Sequence, residues 1–331
     1  MEKVIALIVS YNRQALLSEC IAALRNQTRR PDAILVINNG STDNTEEWLK
    51  AQPDVFHITQ ENEGPGNGFS TAIKWAYKNG YSWMWCMDDD GYPKEDALEV
   101  LLNVDTPDRS LLNCAVINKE NKKDFVWNTN NYKTIDDVKE PLIKGIGHLF
   151  NGTLIHRAIV EKVGTPKPGL FLWGDETEYF YRITNRYRIP VYTVANSIHY
   201  HPASAYSYKK DWDFKSSWKM YFYVRNRFHI DKTRFSSKIL ATLHYLFFIT
   251  AFAGTIVLFQ KTDKVKKLNF LIWPLADAFK NNFSATPPVI LDQLEQRNLK
   301  NLPFSLTAPF RNLFNAVFIP ANTERSKAAT A

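Results

Sequence analysis

Short hydrophobic runs alternate with stretches of helical periodicity through the first ninety residues. Residues 4–9 form a run rich in β-branched side chains, which is typical of a strand buried on both faces of a parallel sheet. The next stretch has the apolar spacing of a helix, and Pro31 prevents it from continuing. This alternation predicts strands at residues 4–9, 33–37, 55–59 and 81–87 and helices at residues 15–26, 45–50 and 69–78. Right-handed crossovers would bring the carboxyl ends of all four strands to one edge of the sheet.

Polar or glycine-rich segments follow each of the four predicted strands. They are residues 10–13 (SYNR), 38–43 (NNGSTD), 62–68 (NEGPGNG) and 88–90 (DDD). Open α/β sheets bind their ligands outside the carboxyl ends of the strands. We therefore expect a nucleotide site at this edge.

The three carboxylates Asp88, Asp89 and Asp90 are the most informative of these segments. Packed acids repel one another, and each unit of unfavourable pKa shift costs about 1.4 kcal/mol, so the cluster favours a bound cation. Oxygen ligands indicate magnesium or manganese, and an ion with few protein ligands usually takes phosphate oxygens as the others. The alternative is a solvated acidic turn that leads into Gly91 and Pro93.

A second acidic cluster follows the aromatic segment at residues 171–174 and opens a predicted helix at residues 179–187. It consists of Asp175, Glu176 and Glu178. Acids in the first turn also stabilise a helix through its dipole, which is the structural alternative. A carboxylate held at a helix start in a cleft can instead act as a general base.

In order and spacing, these motifs resemble the inverting family 2 glycosyltransferases. The resemblance extends to GTLIHR at residues 152–157, WGDETEY at residues 173–179 and RN at residues 225–226. Among family members the chain is most similar to bacterial galactofuranosyl- and rhamnosyltransferases of surface polysaccharide synthesis. The resemblance implies an α/β, glycosyltransferase A-type, Rossmann-like core that binds a nucleotide sugar.

The resemblance assigns the loops after the strands to the donor. Val9 and Tyr11 would line the base pocket, and Asn39 would hydrogen-bond the pyrimidine edge where many relatives carry Asp. Asn supplies both a donor and an acceptor, so base recognition is compatible with this change. The other donor-binding residues that it implies are Arg13, Gly64, Gly66, Gly68, Asp88 and Asp89. The glycines are also compatible with an ordinary turn.

The resemblance also implies a metal site. Asp90 would bind a Mn²⁺ or Mg²⁺ ion that bridges the two phosphates, and Asp88 would support the metal shell or meet the ribose. A histidine that follows the buried run at residues 191–195 would be a further ligand. His201 fits the family spacing better than His199, which remains the alternative.

In the family pattern the catalytic base is the second acid of the later cluster, here Glu176. Relatives usually carry Asp at that position, so Asp175 remains the alternative base. Trp173 would be a platform for the acceptor sugar, and Glu178 is assigned to the acceptor side.

Composition agrees with an enzyme that works at a membrane surface. The chain has 331 residues, of which 45% are hydrophobic, enough for a full α/β domain and an appendage. Its three cysteines lack metal spacing, and Met1 leads almost directly into the first strand, so we expect a reducing compartment and no signal peptide. A net charge of +7 favours anionic lipid or nucleotide phosphates, whereas no motif indicates nucleic acid.

The composition changes after about residue 210. Residues 215–229 mix aromatic and basic side chains, and residues 239–259 carry no formal charge, a length that suffices to span a bilayer. Lysines flank both ends, so the positive-inside rule gives no preferred orientation. We favour a helix lying in the plane of an anionic membrane surface. A buried helical core, a homo-oligomer interface and a true span are the alternatives.

Together with the family resemblance, these patterns predict a nucleotide-sugar glycosyltransferase domain at residues 1–210 and a helical, membrane-associating region at residues 211–331. The enzyme would transfer a sugar with inversion onto a lipid-linked glycan, as a peripheral protein at the cytoplasmic face of the bacterial plasma membrane. UDP-galactofuranose is the first choice of donor and dTDP-rhamnose the second. A nucleotidyltransferase is disfavoured because Arg13 is the only cation near Ser10, and an inactive glycan-binding scaffold would not need both acidic clusters.

Overall fold

The computed structural model describes residues 2–106, 109–203 and 210–299. They form two compact units that divide between residues 206 and 207.

The first unit contains a parallel half-sheet whose strands follow the hydrophobic runs of the sequence. The strands β1 (Val4–Ser10), β2 (Ala33–Asn38), β3 (Val55–Thr59) and β4 (Trp83–Asp88) are parallel, in the order β3-β2-β1-β4. Alternate residues of β1 enter hydrophobic clusters on opposite faces, with Leu7 in one and Ile8 in the other. The predicted parallel sheet is confirmed, and the carboxyl ends of these four strands share one edge.

The helices α1 (Gln14–Arg25), α2 (Thr45–Lys50) and α3 (Pro65–Lys78) connect these strands. The start of α3 differs from the expected residue 69, because the helix begins four residues earlier. Gly64 has φ +90° and Pro65 takes the first helical position, where proline's fixed φ is favourable. Gly66 and Gly68 therefore lie buried in the first turn of a helix rather than in a loop.

The other half of the sheet is mixed, and the hydrophobic pattern did not predict it. Here β10 (Asn151–His156) is antiparallel to β4 and to β6 (Leu111–Asn118), and β11 (Val191–His201) is parallel to β6. It follows that β4 and β11 run in the same direction and end at the same edge. The sheet is completed by the short strands β5 (Tyr92–Pro93), β7 (Asp124–Thr129), β8 (Tyr132–Thr134) and β9 (Leu142–Lys144).

Three further helices belong to this unit: α4 (Ala97–Asn103), α5 (Arg157–Val163) and α6 (Asp175–Tyr181). The expected helix at residues 179–187 begins earlier, at the acidic cluster itself, and continues into a π-helical turn at Arg182–Arg186. Cys20, Cys86 and Cys114 are buried free thiols.

The second unit is helical, with α7 (Ser217–Arg234), α8 (Lys238–Phe259), α9 (Lys264–Phe270), α10 (Ile272–Lys280) and α11 (Pro287–Leu299). Phe228, Tyr245 and Phe279 form a small aromatic core that joins α7, α8 and α10. Within the described ranges, α8 is the one helix whose length and composition would allow it to cross a membrane.

Candidate active site

The loops after β1 and β4 meet through direct contacts between polar side chains. The Ser10 hydroxyl donates a 2.7 Å hydrogen bond to Asp89 Oδ2. Arg13 Nη1 lies 3.1 Å from Asp89 Oδ1 and 2.8 Å from Asp90 Oδ2. Asp89, with a side chain only 4% exposed, therefore ties the two loops together, while Arg13 carries a positive charge across the acidic cluster.

The two acidic clusters of the sequence come together in space. Burial raises the pKa of Asp88 well above its ordinary range, and the carboxylates of Asp90, Asp89 and Glu176 raise it further. Glu176 belongs to α6, so the start of this helix faces the end of β4. Carboxylates from the end of β4 and from the start of α6 therefore lie near enough to influence each other's ionisation.

Asp90 and His201 adjoin each other at the ends of β4 and β11. His201 Nε2 lies 3.3 Å from Asp90 Oδ1, and this oxygen accepts no hydrogen bond from any residue that the structure describes. His201 Nδ1 lies 2.7 Å from the carbonyl oxygen of Pro202, to which it donates, so Nε2 is the ring nitrogen that faces Asp90. Burial opposes ionisation of Asp90, but the imidazole of His201 and the guanidinium of Arg13 lower its pKa to about 2.

These two atoms are suitable ligands for a divalent ion. An imidazole nitrogen and a carboxylate oxygen both bind divalent ions, and an ion bound by the two atoms would take the place of a proton between them. In the described part of the chain, no group of three or more His, Cys, Asp and Glu side chains is arranged to hold an ion by itself. The protein would therefore supply few ligands, which suits an ion whose remaining ligands are phosphate oxygens.

His199 and Trp127 are both close to this pair. His199 is fully buried and packs so closely against Gly91 that a Cβ at Gly91 would lie 2.4 Å from His199 Nε2. The ring of Trp127, on β7, lies 4.8 Å from that of His201 and supports its orientation. Of the two candidate histidines, His201 is the one that contacts the acidic cluster directly.

The acids of α6 follow a conformationally strained segment. Phe171 and Trp173 have φ values of +57° and +53°, which residues other than glycine rarely adopt. Asp175 is 2% exposed and packs against Gly66 of α3. Burial, and then the adjacent Glu176 carboxylate with which it shares a hydrogen bond, raise the pKa of Asp175 well above its ordinary range. Asp175 thus retains its proton more readily than an ordinary Asp and can donate it to Glu176.

Glu178 has a different environment from the other two acids. Its side chain is fully buried and forms ion pairs with Lys167 at 2.7 Å and Arg182 at 3.2 Å. With no exposed surface and two neutralising cations, Glu178 serves the packing of α6. This geometry gives no support to the predicted acceptor-side role.

The residues that we expect to bind the base lie at the ends of β1 and β2. Tyr11 is 46% exposed, whereas Val9 and Asn39 are buried. Asn39 Nδ2 donates to the Gly64 carbonyl oxygen at 3.2 Å, and Asn39 Oδ1 accepts from Gln60 Nε2 at 2.9 Å. Because a carbonyl can only accept, these contacts fix the orientation of the Asn39 amide.

Several residues of the site received no individual role from the sequence, namely Ser10, Asn12, Gln60 and Trp127. Asn12, with φ +53°, accepts a 2.7 Å hydrogen bond from the backbone N–H of Thr42 and so joins the first two loops. The left-handed preference of Asn was an available signal for Asn12. The contacts of Gln60 and Trp127 depend on how distant strands are placed, which local patterns do not reveal.

Comparisons with known proteins agree with this geometry. Residues 5–164 match the model of the family described as Glycosyl transferase family 2. Galactofuranosyltransferase GlfT1 of Mycolicibacterium smegmatis is 29% identical over 223 residues, covering 63% of this chain and 74% of that relative. GlfT1 of Mycobacterium tuberculosis is 25% identical over 229 residues, covering 63% and 73%.

Solved structures share the fold at low sequence identity. S. aureus TarS 1-349 in complex with UDP has a TM-score of 0.54 at 14% identity and covers 95% of this chain and 90% of that one. The mannosyltransferase PcManGT from Pyrobaculum calidifontis, solved with GDP-Man and Mn²⁺, has a TM-score of 0.50 at 15% identity and covers 95% and 86%. Residues 5–164 are therefore a glycosyl transferase family 2 domain on a glycosyltransferase A-type fold, and the protein is a glycosyltransferase.

Proposed function

We propose that this enzyme transfers galactofuranose from UDP-galactofuranose, with inversion, onto a lipid-linked glycan. The observation that carries the proposal is the meeting of Asp88 and Asp90, at the end of β4, with Glu176, at the start of α6. Asp88 and Asp90 would hold the ion of a metal-bound diphosphate, and Glu176 would supply a base near it. The two similar galactofuranosyltransferases support the choice of sugar.

The orientation of Asn39 supports a uracil or thymine base. With Nδ2 bound to the Gly64 carbonyl, Oδ1 is the atom that can accept a further hydrogen bond, and its second lone pair is available beside Gln60. Uracil and thymine present an N3–H donor to such an acceptor, whereas N3 of cytosine is itself an acceptor and cytosine's donor is the N4 amino group, at a different position on the ring. Tyr11, exposed at the same edge, would stack on the base. UDP and dTDP donors both satisfy this site, so dTDP-rhamnose is the alternative donor.

We assign Asp90 and His201 as ligands of Mn²⁺ or Mg²⁺, with Asp88 beside them. The ion would stabilise the negative charge that develops on the departing nucleoside diphosphate. Ser10 holds Asp89 and Trp127 packs on His201, so both loops are positioned before the donor arrives. Asp89 thereby contributes to donor binding through the loop rather than through the ion.

Glu176 is the proposed general base. The acceptor hydroxyl gives its proton to the Glu176 carboxylate while its oxygen forms a bond to the anomeric carbon. The bond from that carbon to the phosphate oxygen breaks, and its electron pair leaves with the nucleoside diphosphate. Burial and the adjacent Glu176 carboxylate raise the pKa of Asp175, which would donate its hydrogen bond to Glu176 and so hold that carboxylate in position. We assign Trp173 as the platform for the acceptor sugar.

We further propose that the protein binds the anionic cytoplasmic surface of the plasma membrane through α8. One face of this helix packs inside the second unit through Ala241, Tyr245, Phe252 and Ile256. The opposite face is apolar and exposed, with residue exposures between 50% and 75% for Ile239, Leu240, Leu243, Phe247, Val257 and Leu258. A helix that is hydrophobic all round requires an apolar partner on its exposed side. We call these six residues the apolar stripe.

Lysines at the end of the apolar stripe favour a lipid surface over a second copy of the chain. Lys261, Lys264 and Lys266 lie just beyond α8, where they can reach anionic head groups. Lys267, the fourth lysine that follows the uncharged run in the sequence, is instead buried and binds Asp211 at 3.0 Å. The membrane contact would therefore use three of the four lysines. A homo-oligomer would bury the stripe without lipid.

A panel of nucleotide sugars tests the assignment of donor. Thermal unfolding would be followed with UDP-galactofuranose, UDP-galactose, dTDP-rhamnose and CDP, each with and without Mn²⁺. We expect the largest Mn²⁺-dependent stabilisation from UDP-galactofuranose and the smallest from CDP. A larger effect of dTDP-rhamnose would reassign the sugar, and no effect of any of them would favour an inactive glycan-binding scaffold.

A further inference from the structure

Arg13 occupies an unusual position among the acids of the site. A single guanidinium nitrogen, Nη1, contacts two carboxylates, Asp89 Oδ1 at 3.1 Å and Asp90 Oδ2 at 2.8 Å. The side chain of Arg13 is 49% exposed, so it can leave this position without opening the hydrophobic core. Its charge neutralises a cluster that would otherwise repel itself.

The two carboxylates that Arg13 joins are not equivalent. Asp89 is held on its other oxygen by Ser10 and is almost fully buried, so it is a fixed anchor. Asp90 is more exposed and directs its other oxygen towards His201. Asp90 therefore has one oxygen on Arg13 and one oxygen on the position assigned to the divalent ion.

A guanidinium and a divalent ion on one carboxylate repel each other. Arg13 should therefore weaken ion binding for as long as it stays on Asp90. A nucleoside diphosphate changes this balance, because its oxygens are a better partner for the five donors of a guanidinium than a carboxylate already shared with an ion. Arg13 would then turn towards the diphosphate and leave Asp90 to the ion.

We propose that Arg13 is a placeholder cation that couples the binding of the divalent ion to the binding of the donor. Without donor, Arg13 neutralises Asp89 and Asp90 and keeps ion affinity low. With donor, Arg13 moves to the diphosphate, and the ion takes over the neutralisation of Asp90. This positioning role rests on the proposed function, since it requires a nucleoside diphosphate beside the ion.

A charge-removing variant on the full-length protein tests the coupling. Mn²⁺ affinity would be measured by electron paramagnetic resonance, with and without UDP, for the wild type and for Arg13→Gln. In the wild type we expect UDP to tighten Mn²⁺ binding by roughly 5- to 150-fold, the usual range of a coupling between two sites. Arg13→Gln should bind Mn²⁺ alone roughly tenfold tighter, as expected when a nearby positive charge is removed. UDP should then increase the Mn²⁺ affinity of Arg13→Gln much less than that of the wild type. By reciprocity, Mn²⁺ should increase the UDP affinity of the variant less.

Two more variants separate charge from structure. Arg13→Lys keeps the charge but loses the planar fork, so we expect weak Mn²⁺ binding without UDP, as in the wild type, together with weaker UDP binding. Arg25→Ala removes a partly exposed arginine from the last turn of α1, the helix that Arg13 precedes, where it pairs with Asp54, and should behave as the wild type.

The outcomes distinguish this inference from the proposed function. If the wild type shows coupling and Arg13→Gln retains both the same Mn²⁺ affinity and the same coupling, then Arg13 is a structural ion pair and the inference is wrong. If the wild type binds neither Mn²⁺ nor UDP, the proposed function fails and this inference fails with it. Circular dichroism of Arg13→Gln establishes whether the variant is folded. If Arg13→Gln is unfolded and UDP does not increase the Mn²⁺ affinity of Arg13→Lys, the proposal is also contradicted.

Discussion

His201 Nε2 lies 3.3 Å from Asp90 Oδ1, which joins the ends of two strands whose residues are far apart in the chain. The contact exists because β11 and β4 run in the same direction through the intervening β6 and β10. It brings an imidazole nitrogen and a carboxylate oxygen to one point at the edge of the sheet. Both residues are thus expected to affect the same step.

Removal of the Asp90 carboxylate tests the proposed ion site. Asp90→Ala should lower transfer activity by at least about 100-fold, because even residues that only support a metal ligand commonly cost 10–100-fold. It should also remove the Mn²⁺-dependent part of UDP binding, measured by calorimetry. Asp54→Ala, which removes an exposed acid that pairs with Arg25, is the matched control. Normal Mn²⁺-dependent binding in Asp90→Ala would place the ion elsewhere.

The packing of Gly66 against Asp175 should be required for catalysis. A Cβ at Gly66 would lie 2.9 Å from Asp175 Oδ2, so Gly66→Ala must displace this carboxyl group. A misplacement of about 1 Å can cost about 100-fold in rate. We therefore expect kcat to fall by about that factor while UDP affinity changes much less. Gly254→Ala, in α8, meets open space and serves as the control. An unchanged kcat in Gly66→Ala would mean that Asp175 does not position the base.

Buried histidines should make the fold sensitive to mild acid. Burial lowers the pKa of His199 to about 3 and that of His148 to about 4, whereas both titrate near 6.5 when unfolded. Below pH 6.5 the unfolded chain binds the additional protons, so the free energy of unfolding should fall as the pH decreases. The loss is at most about 1.4 kcal/mol per pH unit for each imidazole. The raised pKa values of Asp88 and Asp175 act in the opposite direction, since their contribution is lost as the pH rises.

A variant isolates one of these contributions. Urea unfolding of the wild type and of His148→Asn at pH 7 and pH 5 should show a smaller loss of stability on acidification for the variant. Equal losses for the two proteins would show that His148 is not held neutral by burial.

The apolar stripe should mediate lipid binding. The double variant Phe247→Gln, Leu258→Gln should reduce sedimentation with anionic liposomes, because these two residues of α8 are 72% and 75% exposed. UDP binding should remain intact, because neither residue belongs to the proposed donor site. Changing Lys261, Lys264 and Lys266 to Gln should remove the salt-sensitive part of the free energy of lipid binding, which is about 1 kcal/mol for each cation near the surface. Phe56→Gln, an exposed aromatic on β3, is the control.

Two other outcomes would assign the apolar stripe differently. Resistance of the wild-type protein to carbonate extraction would indicate a true span of the bilayer. The wild type could instead be a soluble dimer that never sediments with lipid. If the changes Phe247→Gln and Leu258→Gln dissociate this dimer, the stripe is an interface between two copies.

The sequence predicted the parallel half of the fold because each of its strands is a continuous apolar run that ends in polar residues. Residues 4–9 and 33–37 fall within the observed β1 and β2. The early start of α3 was missed because Gly and Asn are poor helix formers, although Gly64 followed by Pro65 was an available signal for a helix start.

The mixed half of the sheet could not be predicted in the same way. Its strands pair antiparallel across long separations, and β11 contains an irregularity between Val194 and Ile198 that local periodicity does not reveal. The proximity of His201 to the acids therefore came from the family resemblance alone. The burial of Glu178 likewise depends on Lys167 and Arg182, whose positions are set by tertiary packing.

The central claim is an inverting transfer in which Glu176 is the base, and a product assay with two variants tests it most directly. Wild type, Glu176→Gln and Asp175→Asn would be incubated with UDP-galactofuranose, Mn²⁺ and a lipid-linked glycan acceptor, and the products analysed by nuclear magnetic resonance. We predict a galactofuranosyl product of anomeric configuration opposite to that of the donor. Glu176→Gln should bind UDP normally but turn over about 10²- to 10⁴-fold more slowly, the usual contribution of a general base, with a smaller loss in Asp175→Asn. A product that retains the donor's configuration, or an active Glu176→Gln beside an inactive Asp175→Asn, would contradict this account.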